Sequence, residues 1–142
     1  MNILLVSREF YPSKRCAGIG SYTKDLAIGL GNLGHNVVVI AASDNVFNSS
    51  FTKTKNYTLY RLSGGDFFIG RSIPARVFNR LRNFFLYNHY RKKILNKIVE
   101  LDKIYSFDLV EIPDYDNEGK YWLKKKHIPT IMRFHSPTFT DY

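Results

Sequence analysis

Arg133 and His135 stand two residues apart at the end of a short apolar run, with Ser136 and Pro137 directly behind them. In an extended segment alternate side chains share a face, so the guanidinium and the imidazole point the same way. Such a pair can hold an anion or hydrogen-bond the hydroxyls of a polyol, and an imidazole can equally fix a neighbouring backbone group. A cation in an apolar strand needs either an acid or solvent. Glu111, one strand earlier, is a candidate partner, and a purely structural ion pair is the plain alternative. Near the other end of the chain, Gly18 and Gly20 precede a helical pattern. Unpaired N–H groups and the dipole at a helix start favour an anion, commonly phosphate, and glycine lets the backbone approach it. The dinucleotide-binding fingerprint is incomplete. Ten residues separate Ser7 from Gly18, and Thr23 stands where the third glycine belongs. Simple loop glycines are therefore an equal reading. Glu111, Asp114, Asp116 and Glu118 form an acidic cluster without a recognised metal-ligand spacing. Hydrogen bonding to a hydroxyl-rich acceptor fits it better, as does helix capping by Asp116 or Asn117. Cys16, beside the glycines, reads as a small loop side chain.

These residues need a frame to bring them together. Residues 2–7 and 37–42 are short apolar runs of the kind buried on both faces of a parallel sheet. Between them a helix is expected from Ser21 to Leu33, with Ile19, Tyr22, Leu26, Leu30 and Leu33 on one face and Gly34 as its stop. Residues 44–56 read as a polar loop and 57–62 as a third strand. Phe67, Phe68 and Ile69 follow in a loop. The spacing of Val77, Leu81, Phe84, Tyr87, Tyr90, Ile94, Ile98, Leu101 and Tyr105 predicts a helical stretch over 75–105, as one helix or as two broken near Asn88. Residues 107–112 and 129–134 read as a fourth and fifth strand, with a short helix over 117–126. Alternating strands and helices imply an α/β, Rossmann-like parallel sheet with helices on both faces. Ligands bind such sheets beyond the strand C-termini, where strand order reverses. The segments after strands one, four and five should meet there.

Composition narrows the class. The chain has 142 residues, 44% of them hydrophobic, enough for one domain with a core. No apolar stretch approaches the roughly 20 residues of a membrane span. The N-terminal run lacks the basic lead of a signal peptide, so the sequons at Asn48 and Asn56 read as chance. One cysteine permits no internal disulfide and suits a cytoplasmic protein. The net charge of +9 favours an acidic partner. Between Arg76 and Lys103, eight Lys and Arg face two acids, which concentrates the charge on the long helical stretch. Arg76, Arg80, Arg82, Arg91, Lys92, Lys93 and Lys97, interleaved with aromatic residues, could dock on an anionic membrane surface. A solvated basic face is the equal alternative.

The residues also carry a resemblance. Met1–Pro12, Ala17–Thr23, Leu33–Ile40, Phe107–Tyr115, Glu118-Gly119 and Arg133–Pro137 together resemble the N-terminal domain of family 4 (group 1) glycosyltransferases. The likeness spreads over nearly the whole chain and is weakest from 44 to 105. It implies the N-terminal half of a GT-B fold, in which two Rossmann-like domains face each other across a cleft. Residues 1–142 would be an incomplete acceptor-side domain, with the nucleotide-sugar domain outside it, and would be inactive alone. The implied function is to bind the acceptor for a retaining glycosyltransferase, which moves a sugar from a nucleotide sugar to a glycan or lipid-linked acceptor in cell-surface polysaccharide synthesis. That implies no cofactor, no required metal and no nucleic acid, with peripheral placement on the inner face of the cell membrane. Gly18 and Gly20 match the glycine loop that approaches donor phosphates and acceptor. His135 matches the strand-end histidine near the transferred sugar, a catalytic position, and Glu111 matches the acid after strand four. Ala17-Gly18 stands where many members have two glycines. The rival readings are a non-catalytic Rossmann-like module binding nucleotide or nucleic acid, and an inverting GT-B relative.

Overall fold

A computed structural model of the chain describes residues 1–13, 16–45, 47–65, 75–114, 117–124 and 127–135, with backbone alone for 75–83. Phe67, Phe68, Ile69, Asp116, Ser136 and Pro137, and the side chains of Arg76, Arg80 and Arg82, lie outside the described residues. The elements run β1 (Asn2–Val6), α1 (Gly18–Asn32), β2 (Asn36–Ala42), β3 (Ser50–Lys53), β4 (Thr58–Leu62), α2 (Ala75–Tyr105), β5 (Leu109–Pro113) and β6 (Thr130–Arg133). They form one six-stranded sheet ordered β3-β4-β2-β1-β5-β6. Every pairing is parallel except that of β3 with β4.

The central strands are apolar throughout because both of their faces are covered. Ile3, Leu5, Val37, Val39, Ala41 and Leu59 pack with Ala27 of α1 and with Phe10. Leu4, Val6, Val38, Ile40 and Ala42 pack with Tyr90, Ile94, Ile98 and Leu101 of α2 and with Trp122. Each fully buried Leu, Ile or Val contributes about 1.5–3 kcal/mol. The fold is thus a Rossmann-like α/β sheet with a helix on each face.

The details depart from the sequence reading in four places. First, residues 50–53 are a strand, not loop. All four are exposed, and they pair only with β4 at the sheet edge. Secondly, α2 takes the one-helix reading, running unbroken through Asn88, but Phe84 of the expected core stripe is 57% exposed. Thirdly, the described residues 117–124 form consecutive turns rather than an α-helix. Asn117 has φ 50°, and its carbonyl accepts from Lys120 N–H, an i→i+3 pattern. Fourthly, α1 begins at Gly18 and buries a different stripe. Gly20, Thr23 and Ala27 face the sheet, Leu26 and Leu30 flank them, and Tyr22 and Leu33 are exposed. Small residues let this helix approach the sheet closely. Gly34, at φ +84°, does stop it. His35 N–H donates to Leu30 O and Gly34 N–H to Gly31 O, a Schellman arrangement.

Two glycines of α1 should respond oppositely to one methyl group. A Cβ at Gly29 meets nothing within 4 Å, whereas at Gly31 it would lie 2.3 Å from Asn56 O and 2.8 Å from Asn56 Cα. Gly29→Ala should therefore stabilise by about 0.5–1 kcal/mol through helix propensity. Gly31→Ala should instead destabilise by about 1–3 kcal/mol, because backbone must move. Urea denaturation of the two variants checks this, and equal midpoints would refute the close contact between α1 and residue 56.

Candidate functional site

Strand order reverses between β1 and β5, since β1 leads by way of α1 to β2 on one side and β5 flanks it on the other. The crevice rule places a ligand above that junction, and the segments after β1, β5 and β6 meet there. The segment after β1 is tightly held. Ser7 N–H donates to Ile40 O, and Ala42 N–H to Arg8 O, both at 2.9 Å. Arg8 N–H is shared between the two carboxylate oxygens of Glu118, at 3.0 and 2.9 Å. Glu118 is only 4% exposed, so this acid serves the backbone from within. Arg61 of β4 reaches the same segment, donating to Phe10 O (2.9 Å), Pro12 O (2.7 Å) and Ala42 O (3.1 Å). Its role was hidden in the sequence. The only signal was a cation inside the strand expected over 57–62.

This anchored segment delivers the start of α1. Gly18 and Gly20 lie in the first helical turn rather than in a preceding loop, and they differ. Gly18 is open, with nothing within 4 Å of a built Cβ. Gly20 is buried, and a Cβ there would fall 2.4 Å from Cys16 Sγ and 3.0 Å from the carbonyl carbon of Glu9. Its missing side chain serves packing. Glu9 Oε2 accepts Ala17 N–H at 2.9 Å, so a carboxylate already rests beside the helix start. Ala17 supplies no side-chain cap.

On the same α1 face of the sheet stand Glu111, Arg133 and His135. Glu111 is level with Ile131 in the β5–β6 register, and Arg133 follows two residues on. Arg133 Nη2 forms an ion pair with Glu111 Oε1, both side chains being mostly buried (17% and 16% exposed). The guanidinium carbon also lies 4.1 Å from the centre of the Tyr22 ring, a cation–π contact. Burial lowers the Arg133 pKa from its ordinary value, and Tyr22 opposes the shift. Tyr22 also meets the His135 ring edge-on, at 5.8 Å and 76°. Asp114 holds the end of β6, accepting His135 N–H on Oδ1 at 3.0 Å and donating its own N–H to Arg133 O at 2.9 Å. His135 Nε2 is buried with no hydrogen-bond partner among the described residues.

The structure therefore brings Glu111, Arg133 and His135 together, with the N-terminal part of α1 beside them through Tyr22. It separates the acids, since Glu111, Asp114 and Glu118 each serve a different partner. No group of three His, Cys, Asp or Glu that could hold a metal occurs among the described residues. The described basic residues do not form one face either. Arg91 lies over Tyr87, Lys92 over Tyr121 and Lys97 over Tyr60, while Lys93 donates to Ser63 O. Tyr22 was missed as a site residue because its spacing assigned it to the core stripe.

No protein-family model and no curated protein matches the sequence. Solved structures do match in fold. Sucrose-phosphate synthase from Thermosynechococcus elongatus aligns with a TM-score of 0.71 at 16% identity, over 99% of this chain and 34% of that one. A second structure of that synthase aligns with a TM-score of 0.62 at 14% identity, over 99% of this chain and 66% of the other. The chain thus spans about a third of the first structure's length. At these identities the likeness establishes the fold alone, a Rossmann-like α/β domain.

Proposed function

We propose that the chain is the acceptor-side domain of a retaining glycosyltransferase of family 4 type, which transfers a sugar from a nucleotide sugar to a glycan or lipid-linked acceptor in cell-surface polysaccharide synthesis. One observation carries the site: the buried Nε2 of His135, which has no hydrogen-bond partner among the described residues, with its ring against Tyr22 of α1 and Arg133 on the same Tyr22 ring. An unsatisfied buried polar atom costs about 1–3 kcal/mol, and a ligand hydroxyl would satisfy it. In this reading His135 hydrogen-bonds a hydroxyl of the transferred sugar. The N–H groups of the first turn of α1 meet the donor diphosphate through Gly18. Glu111, Tyr22 and Asp114 position Arg133 and His135. No metal or cofactor is assigned a role. The fold likeness supports the reading because the same domain shape occurs in a synthase that acts on sugars.

Peripheral binding to the inner face of an anionic membrane belongs to the same proposal. Phe84 and Phe85 are exposed on α2, with Lys120 Nζ 6.0 Å from the Phe84 ring. No described helix is long and apolar enough to cross a membrane.

The test is an NMR titration of the ¹⁵N-labelled chain with UDP-glucose, GDP-mannose and ADP-glucose. Weak binding is expected, with shifts centred on Gly18, Ile19, Tyr22 and His135. His135→Ala should weaken it about ten-fold, the scale of one hydrogen bond to a ligand. Anionic vesicles added to the same sample should broaden Phe84, Phe85 and Leu86 first. Shifts confined to other surfaces would overturn the site. Salt-dependent binding of DNA or RNA at sub-micromolar affinity would favour the nucleic-acid module instead.

A further inference from the structure

The sheet carries a second concavity, on the α2 face and away from His135. It is an open groove of about 470 Å³ between the β3–β4 edge and the middle of α2. Its floor is aromatic. Phe51 and Tyr60 meet with ring centres 5.0 Å apart and planes tilted by 54°. Phe51 keeps 57% of its surface in solvent although it belongs to a strand, so its outer face is a ready platform.

The walls are polar. Lys97 Nζ lies 4.8 Å from the centre of the Tyr60 ring and 2.7 Å from Glu100 Oε1. Lys93 Nζ donates to Ser63 O and Oγ, each at 3.3 Å, which fixes the ammonium at one end. Asn96 is exposed between them and lines the groove. Tyr60 shares a hydrogen bond with Tyr105, 3.2 Å between hydroxyl oxygens. Burial and that bond push the Tyr60 pKa up to about 12, so the phenol stays neutral at any physiological pH.

We infer that this groove binds a saccharide unit carrying an anionic substituent, a carboxylate or a phosphate. The C–H face of a pyranose ring rests on an aromatic face such as that of Phe51. Sugar hydroxyls both donate and accept, and they find matching groups in the Asn96 amide and the Glu100 carboxylate. Two lysines against one glutamate leave the groove positive, which favours a charged sugar over a neutral one. A planar base would stack equally well on an aromatic ring but would leave the mixed hydroxyl-matching wall unused. The site goes beyond the transferase reading and does not need it. It lies on the sheet face opposite His135 and Arg133, and its occupancy is measured with no donor present.

The experiment is an NMR titration of the full chain with a hyaluronan tetrasaccharide, glucose 6-phosphate, maltotetraose and UMP. The tetrasaccharide or the sugar phosphate should shift Phe51, Tyr60, Asn96 and Lys97, and whichever binds more tightly identifies the source of the charge. Maltotetraose should bind more weakly than both. Phe51→Ala, an exposed edge change that spares the core, should weaken binding about ten-fold. Lys93→Gln should weaken it about five-fold. His135→Ala should leave it unchanged, which separates this site from the transferase site. Equal binding of maltotetraose would remove the anionic requirement and with it the proposal. So would tighter binding of UMP at the same residues, or indifference to Phe51→Ala.

Discussion

Glu118→Ala should cost the fold about 2–4 kcal/mol, because it strands a buried N–H and opens a cavity at once. The carboxylate is 4% exposed and receives Arg8 N–H on both oxygens. Arg8 is the second residue past β1, so this bond fixes where the chain turns toward α1. With alanine, no side chain at 118 can accept that hydrogen, and the buried space the carboxylate fills near Tyr90 is left empty. Glu118→Gln keeps the volume and one acceptor oxygen, and should cost about half as much. Against a typical domain stability of about 5–15 kcal/mol the alanine variant is a severe change. Urea denaturation measures it, and a midpoint shift with unchanged slope is the expected form. If Glu118→Ala fell within about 0.5 kcal/mol of the parent, as ordinary surface changes do, the acid would not be a structural clamp. A second consequence is local. Loosening residues 8–13 should raise amide exchange there and in the first turn of α1 before it does so in β2.

How much of this was legible in the sequence depends on how local each cause is. The strands β1, β2, β5 and β6 could be read because each carries a short apolar run, which has few other places to go, and β4 because residues 57–62 alternate. β3 could not. Ser50–Lys53 bury nothing, and only their pairing with β4 makes them a strand. The face of α1 was misread for a related reason. Its large residues suggested a stripe through Tyr22 and Leu33, but the sheet accepts Gly20, Thr23 and Ala27, which allow a closer approach. Residues 117–124 have helical composition, but the left-handed Asn117 and the burial of Glu118 toward Arg8 bend them into turns. In the site, the facing of Arg133 and His135 followed from a period of two, and Glu111 as partner followed from charge. Tyr22 as the surface on which both rest, and the Nε2 of His135 left without a partner among the described residues, depend on three-dimensional packing alone. Of the basic stretch, only Arg91, Lys92, Lys93 and Lys97 have described side chains among the seven named residues. At roughly 100° per residue, positions 91, 92, 93 and 97 cannot share a single face.

Glu111→Ala is expected to cost about 2–3 kcal/mol. That is below the 3–5 kcal/mol of a fully buried pair, since both side chains keep some access to water. It leaves the Arg133 guanidinium on the Tyr22 ring with no carboxylate, in a place where burial already lowers its pKa. The double variant Glu111→Leu, Arg133→Met should recover most of that loss, because two apolar side chains of similar volume avoid the desolvation that the pair must offset. The double-mutant cycle should return a coupling of about 1–3 kcal/mol. The cycle also separates two uses of the guanidinium that stability alone confounds. If the pair only ties β6 to β5, the apolar double variant will fold well and bind nucleotide sugars as the parent does. If Arg133 supplies charge to a ligand beside His135, the same variant will be stable yet bind them at least about ten-fold more weakly. The second result would add Arg133 to His135 and the first turn of α1 as a ligand-binding group. A stable double variant with unchanged binding would reduce Glu111 and Arg133 to structural partners, leaving His135 and the first turn of α1 to carry the chemistry.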